Sequence, residues 1–151
     1  MGIYGVGVDL VKTARLRQSY CAYGDRFLKR YLHPKEIAHF MTLLADDSAQ
    51  GVTNQTQFLA SRWAVKEATL KAFKSWRILF PEVYVDKQCA AVPPHVAATS
   101  GLPPRKASPV VPVLTFDGTT HSLASALAIQ HTHVTISHDG DYTVATVVLE
   151  T

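Results

Sequence analysis

With 151 residues, 47% of them hydrophobic and 18% charged, the chain has the makings of one globular domain and not two. A formal charge of +3, with no block of five or six like charges, excludes a basic tail and favours acidic or phosphorylated partners. Two cysteines, Cys21 and Cys89, are too few for a disulfide framework, no apolar run reaches membrane-spanning length, and Met1 to Val11 lacks a signal-peptide pattern. These features lead to the expectation of a reduced, cytoplasmic protein with no membrane partner. The low charged fraction leaves room for an apolar surface that meets another subunit.

Ile3 to Val11 is glycine-punctuated and rich in apolar and β-branched residues, which predicts a strand. Alternation puts Tyr4, Val6, Val8 and Leu10 on one face and Gly5, Gly7 and Asp9 on the other. The glycine face is a poor core, suited to close approach by a ligand or another backbone. Helices are predicted over residues 12–23, stopped by Gly24, and over 25–32. His33-Pro34 starts a third, with Pro34 at its first position. Residues 46–56 are polar and read as a loop. The strongest helical pattern runs from Gln57 to Lys74, with Leu59, Trp63, Leu70 and Phe73 as its apolar stripe. Seven of the eight prolines fall within residues 81–112, which predicts an irregular excursion with short strands near 83–85 and 110–116. A short helix over 119–129 follows. Two strands, 133–138 and 142–149, are joined at Asp139-Gly140-Asp141. Strand, helices, then strands make an α+β domain spanning 1–151.

Two carboxylates are misplaced in this scheme. Glu67 lies four residues after Trp63 and three before Leu70, on or beside the apolar stripe, where a charge is costly unless it is satisfied. Asp9 occupies the glycine face. Either could be structural, as an edge residue or a helix cap. Together, with lysines near, they make a plausible Mg2+ site for phosphate chemistry, Mn2+ being the other candidate. Arg62, Lys66, Lys71 and Lys74 surround Glu67 along the helix and could hold a diphosphate, or form a solvated face with a Glu67–Lys71 helix pair. In the late strand, His133, Thr135 and Ser137 share one face, and Val134, Ile136 and His138 the other. Four histidines between 121 and 138 lack zinc-site spacing. A Mg-dependent nucleotide diphosphate hydrolase is the alternative enzyme these residues allow. An RNA-binding domain is disfavoured, because Trp63 and Phe73 belong to the helix stripe and no RNA-binding motif is present, so no nucleic acid partner is expected.

Gly5-Val6-Gly7-Val8-Asp9, the helix Phe58 to Phe73 with its Trp-Ala-x-Lys-Glu-Ala-x-x-Lys-Ala core, and His133-Val134-Thr135-Ile136-Ser137-His138 with Ala145 to Glu150 together resemble holo-acyl-carrier-protein synthases. The match covers residues 1–80 and 131–151, and the basic, proline-rich segment between is similar to actinobacterial members. The resemblance implies a 4′-phosphopantetheinyl transferase fold: an antiparallel sheet packed with helices, assembled as a homotrimer with active sites between subunits. It implies transfer of 4′-phosphopantetheine from coenzyme A to a serine of an apo acyl carrier protein or of a fatty acid synthase carrier domain, releasing adenosine 3′,5′-bisphosphate. Asp9 and Glu67 become the Mg ligands. Glu67 and Lys71 become the catalytic residues. Arg62, Lys66, Lys71, His133 and His138 become coenzyme ligands. Arg15, Arg26 and Phe27 fall where the family grips its carrier protein. One departure stands out. Where many members place a glycine-rich turn after the helix, this chain has Lys74-Ser75-Trp76-Arg77.

Overall fold

The computed structural model describes residues 1–105 and 109–151. Strand β1 (Ile3–Lys12) leads into α1 (Thr13–Tyr23), α2 (Asp25–Tyr31), α3 (Pro34–Leu43) and the long α4 (Ala49–Ala72). After a short 3-10 turn come β2 (Val83–Cys89), α5 (Pro94–Ser100), β3 (Val110–Phe116), α6 (Gly118–Ala126), β4 (His131–Asp139) and β5 (Tyr142–Glu150). The strands form two antiparallel sheets, one ordered β1-β5-β4 and the other pairing β2 with β3. The α+β expectation holds. The last hairpin also turns where its sequence says, with Asp139 opposite Tyr142 and Gly140 at φ 54°.

Helix α4 packs across one face of the larger sheet, and the strand glycines are the reason it can. A Cβ on Gly5 would collide with the carbonyl oxygen of Ala72, and one on Gly7 with that of Ala68. Opposite these glycines the helix presents Ala68 and Ala72, both fully buried. Glycine against alanine lets helix backbone and strand backbone touch. The face that looked like a poor core is therefore the core-facing one, and the approaching backbone is α4. The valine-bearing face of β1 is the open one, with Val6, Val8 and Leu10 at 57, 54 and 63% exposure.

Three expectations are corrected. Helix α4 begins at Ala49, inside the segment read as a loop. Ser48 caps it by accepting from the Gly51 N–H, and buried Gln55 donates to the carbonyls of Leu43 and Asp46. Polar residues there close the start of a helix and so carry no apolar stripe. The apolar stripe holds only in part: Leu59 and Phe73 are buried and Trp63 and Leu70 partly so, while the helix packs the sheet through its alanines. The proline-rich excursion is more regular than expected. Val83 pairs with Phe116 and Cys89 with Val110, and α5 bridges part of the gap. Pro112 sits in β3 opposite Lys87 of the two-stranded sheet, where a strand with one free edge accommodates it.

At the end of α4, Phe73 is the cap and Lys74 adopts φ 60°, the left-handed conformation that glycine takes most easily. The chain makes the turn with lysine instead, and the Lys74 ammonium lies 4.5 Å over the Tyr4 ring.

Candidate active site

Asp9 continues the glycine face of β1 one step past Gly7, and α4 runs alongside. There the helix changes from alanines to charged side chains. Lys71 donates to Asp9 Oδ1 at 3.0 Å and to the Val8 carbonyl at 2.8 Å. Asp9 is 16% exposed and Lys71 52%. One turn earlier on α4, Glu67 is half-buried beside them. Burial pushes its carboxyl above the usual range, the Asp9 charge pushes the same way, and Lys71 and Arg15 pull back less strongly. The structure thus brings Asp9, Glu67, Lys71 and Arg15 into one electrostatic cluster from three separate elements.

A carboxyl whose proton affinity is raised by burial and by a neighbouring carboxylate, as in Glu67, marks a place that favours added positive charge. Among the described residues, no group of three or more His, Cys, Asp or Glu side chains gathers as a metal cage. The Asp9–Glu67 pair suits a hard cation that keeps several waters and takes its remaining oxygens from a phosphate-bearing ligand.

The other expected residues divide into three groups. Arg62 and His138 line one cavity of about 340 Å³ with Ser61, Lys87, Val111 and Ile136. His138 accepts or donates at Nδ1 with Thr143 Oγ1, 2.8 Å away, and burial lowers its proton affinity. Arg62 lies about 7.5 Å before Glu67 along the helix axis, given the usual rise per residue. His133 lies on the opposite face of β4, with Nε2 3.1 Å from Glu150, and does not share that cavity.

Lys66 is a correction. It is 1% exposed, pairs with Glu36 at 2.8 Å, and donates to the carbonyls of Phe80 and Val83. A lysine satisfied three times inside the protein is structural and is not available to a coenzyme.

Arg15, Arg26 and Phe27 form a surface next to the carboxylate cluster. Arg15 lies 5.8 Å over the Trp63 ring, and Phe27 stacks on Trp63 at 6.2 Å. Arg26 and Arg30 flank Phe27 in a shallow pocket with Tyr23. Cationic side chains around aromatic faces suit an acidic helix.

Two residues of the site escaped the sequence reading. Lys87 lies in the excursion onto which no function was carried. Glu36 was not singled out by the sequence at all. His33 and Glu36 form a capping box, with the His33 side chain accepting from Lys35 N and Glu36 accepting from His33 N. Nothing local announces that the same carboxylate meets Arg62 and Lys66.

Comparison with known proteins bears on this arrangement. Residues 5–97 match the family described as the 4′-phosphopantetheinyl transferase superfamily. The chain is 32% identical over 148 residues to a holo-[acyl-carrier-protein] synthase of Desulfovibrio desulfuricans, covering 98% of both proteins. The fold is similar to that of the Neisseria meningitidis holo-[acyl-carrier-protein] synthase, with TM-score 0.73 and 22% identity over 99% of each chain. It is also similar to a coenzyme A complex of the Chronobacterium ammoniagenes enzyme, at TM-score 0.58 and 27% identity, covering 97% of this chain and 96% of that one.

Proposed function

The chain belongs to the 4′-phosphopantetheinyl transferase superfamily, and on that premise we propose how it works as a holo-acyl-carrier-protein synthase. It is a transferase that moves the phosphopantetheine arm of coenzyme A onto a carrier-protein serine. The observation that carries the residue assignment is the meeting of Asp9, Glu67 and Lys71 where β1 and α4 part.

In this reading Asp9 and Glu67 hold Mg2+, or Mn2+ in its place. The bound ion supplies charge neutralisation to the coenzyme diphosphate. The serine Oγ attacks the β-phosphorus, a new O–P bond forms, and the bond from that phosphorus to the bridging oxygen breaks. Adenosine 3′,5′-bisphosphate leaves with the electron pair. Lys71 Nζ, already placed against Asp9 and half exposed, neutralises the charge on the departing oxygen. The serine proton would pass to a water oriented by the Glu67 carboxylate. Phosphoryl transfer of this kind depends on positioning and charge more than on covalent chemistry. Arg62 and His138 hold the nucleotide end in their shared cavity, and Arg15, Arg26 and Phe27 receive the acidic carrier helix.

A homotrimer is part of the proposal. Its support is the uncovered sheet face: Val6 opposite Val148, Val8 opposite Thr146 and Leu10 opposite Val144 form apolar rows that β1 leaves more than half exposed. In a closed assembly that face would be covered, and His133 on the same face would reach a neighbouring subunit's site. A cytoplasmic location is proposed with it, consistent with Cys21 and Cys89 standing as free thiols.

The test is incubation with coenzyme A, Mg2+ and a panel of apo carrier proteins, read by intact mass, with native mass measured on the same sample. Gain of one phosphopantetheine by a carrier, from a particle of three chains, is expected. Consumption of coenzyme A with no change in any carrier's mass would mean hydrolysis and overturn the assignment.

A further inference from the structure

On the reading that Arg62 holds the nucleotide phosphates, we propose that Glu36 is a positioning residue, aiming the Arg62 guanidinium at the coenzyme cavity from inside the protein. Arg62 is only 11% exposed, so its conformation is set before any ligand arrives. Three contacts set it. Nη1 donates to Ser61 Oγ at 3.0 Å, the guanidinium carbon lies 4.3 Å over the Phe58 ring, and Nε faces Glu36 Oε1 at 3.6 Å. Among the described residues, Nε is the buried side-chain nitrogen without a hydrogen-bond partner. Charge attraction to Glu36, at close range and away from water, is what compensates it.

Glu36 can do this because it cannot move. It is 3% exposed. Its Oε2 accepts from the His33 N–H at 3.1 Å and pairs with Lys66, and its Oε1 accepts from the Val85 N–H at 3.1 Å. Those donors belong to the start of α3, the middle of α4 and strand β2. A carboxylate tied to three elements is a fixed reference for the arginine on one of them. The charge count matters as well. One carboxylate faces two cations, so the cluster keeps a net positive charge. Arg62 lines the cavity shared with Lys87 and His138, which Glu36 does not line, whereas Lys66 is sealed inside. The surplus charge therefore faces the place where an anionic ligand binds.

The experiment compares coenzyme A with dephospho-coenzyme A, which lacks the 3′-phosphate, as substrates of Glu36→Gln, Arg62→Ala and the double variant. Arg62→Ala is expected to raise the KM for coenzyme A by roughly tenfold or more, and Glu36→Gln by up to about tenfold, as loss of a charge-assisted contact would. For Glu36→Gln, kcat should hold within about twofold and the KM for dephospho-coenzyme A should barely move. The double variant should be no less selective than Arg62→Ala alone, because the two act through one group. Lys66→Met, which removes the other partner of Glu36, should lower the melting temperature yet keep the preference for coenzyme A. If Arg62→Ala leaves that preference intact, the coenzyme reading of Arg62 is wrong. If Arg62→Ala abolishes the preference but Glu36→Gln only lowers the melting temperature, Glu36 is merely structural. Should Glu36→Gln not fold, Glu36→Asp keeps the charge but withdraws it from Arg62, and an unchanged preference there would equally overturn the proposal.

Discussion

Helix α4 carries Lys66 and Glu67 side by side, and each belongs to a site built from the same side-chain types. On one side Lys66 meets Glu36 in a sealed cluster, with both side chains at most 3% exposed. On the other, Glu67 meets Asp9 and Lys71 in a cluster open to solvent. In the sealed cluster every oxygen of Glu36 is occupied by an N–H donor or a cation. In the open one the Asp9 charge still raises the Glu67 carboxyl although Lys71 and Arg15 lie near. The same chemistry holds the fold where donors complete a carboxylate and calls for a ligand where a neighbouring charge still opposes it.

The largest test of that contrast is Glu67→Gln. Removing the unbalanced charge should cost transfer roughly a hundred- to a thousandfold, the several kcal/mol a metal ligand contributes. The melting temperature should stay level or rise, because the lost charge was held at an unfavourable position. Activity within a few-fold of wild type at saturating Mg2+ would show that the open cluster is not the catalytic one.

Lys66→Met should do the reverse. It leaves a buried carboxylate with less than its full complement and should cost about 3 kcal/mol in urea unfolding. The variant should keep its transfer activity at a temperature where it is folded. A loss of activity as large as that of Glu67→Gln would erase the distinction between the clusters.

The smallest effect concerns a third carboxylate, satisfied by neutral donors rather than by cations. Glu82 accepts from the backbone N–H and hydroxyl groups of both Thr119 and Thr120 and so closes the start of α6. Desolvation works upward on its proton affinity, but these hydrogen bonds together outweigh it and pull the pKa from 4.5 down to about 2. A depressed carboxylate stabilises the fold above its ordinary pKa, and the contribution is lost as pH falls toward the folded value. Glu82→Gln should lower the melting temperature at neutral pH and flatten its decline between about pH 4.5 and 2. An acid limb that still parallels wild type would remove Glu82 from this account.

How far the sequence reached depends on the range of each interaction. Asp9 and Glu67 could be singled out because each broke a local pattern, a strand face in one case and a helix stripe in the other. The last hairpin was readable because Gly140 supplies the turn within a few residues of both strands. The length of β2 was not readable, because its partner Val110 lies far from Cys89 in the chain and the pairing is decided only when both are present. Helix α4 was cut short because residues 49–56 are helical through capping and through Gln55 reaching back to Leu43, and none of that has a periodic signature. Lys66 was misassigned because its neighbours in sequence, Arg62, Glu67 and Lys71, are ligand-binding candidates. Its neighbours in space are a carboxylate and two carbonyls from elsewhere.

By itself the sequence determined the family, singled out Asp9 and Glu67, and marked the glycine face of β1 for close approach by a ligand or another backbone. Only the tertiary structure decided which acid–lysine pair is sealed and which is open. That choice rests on desolvation: a charge costs little or much according to what packs around it, and the packing partners of Lys66 and Glu67 come from α3, β2 and β1.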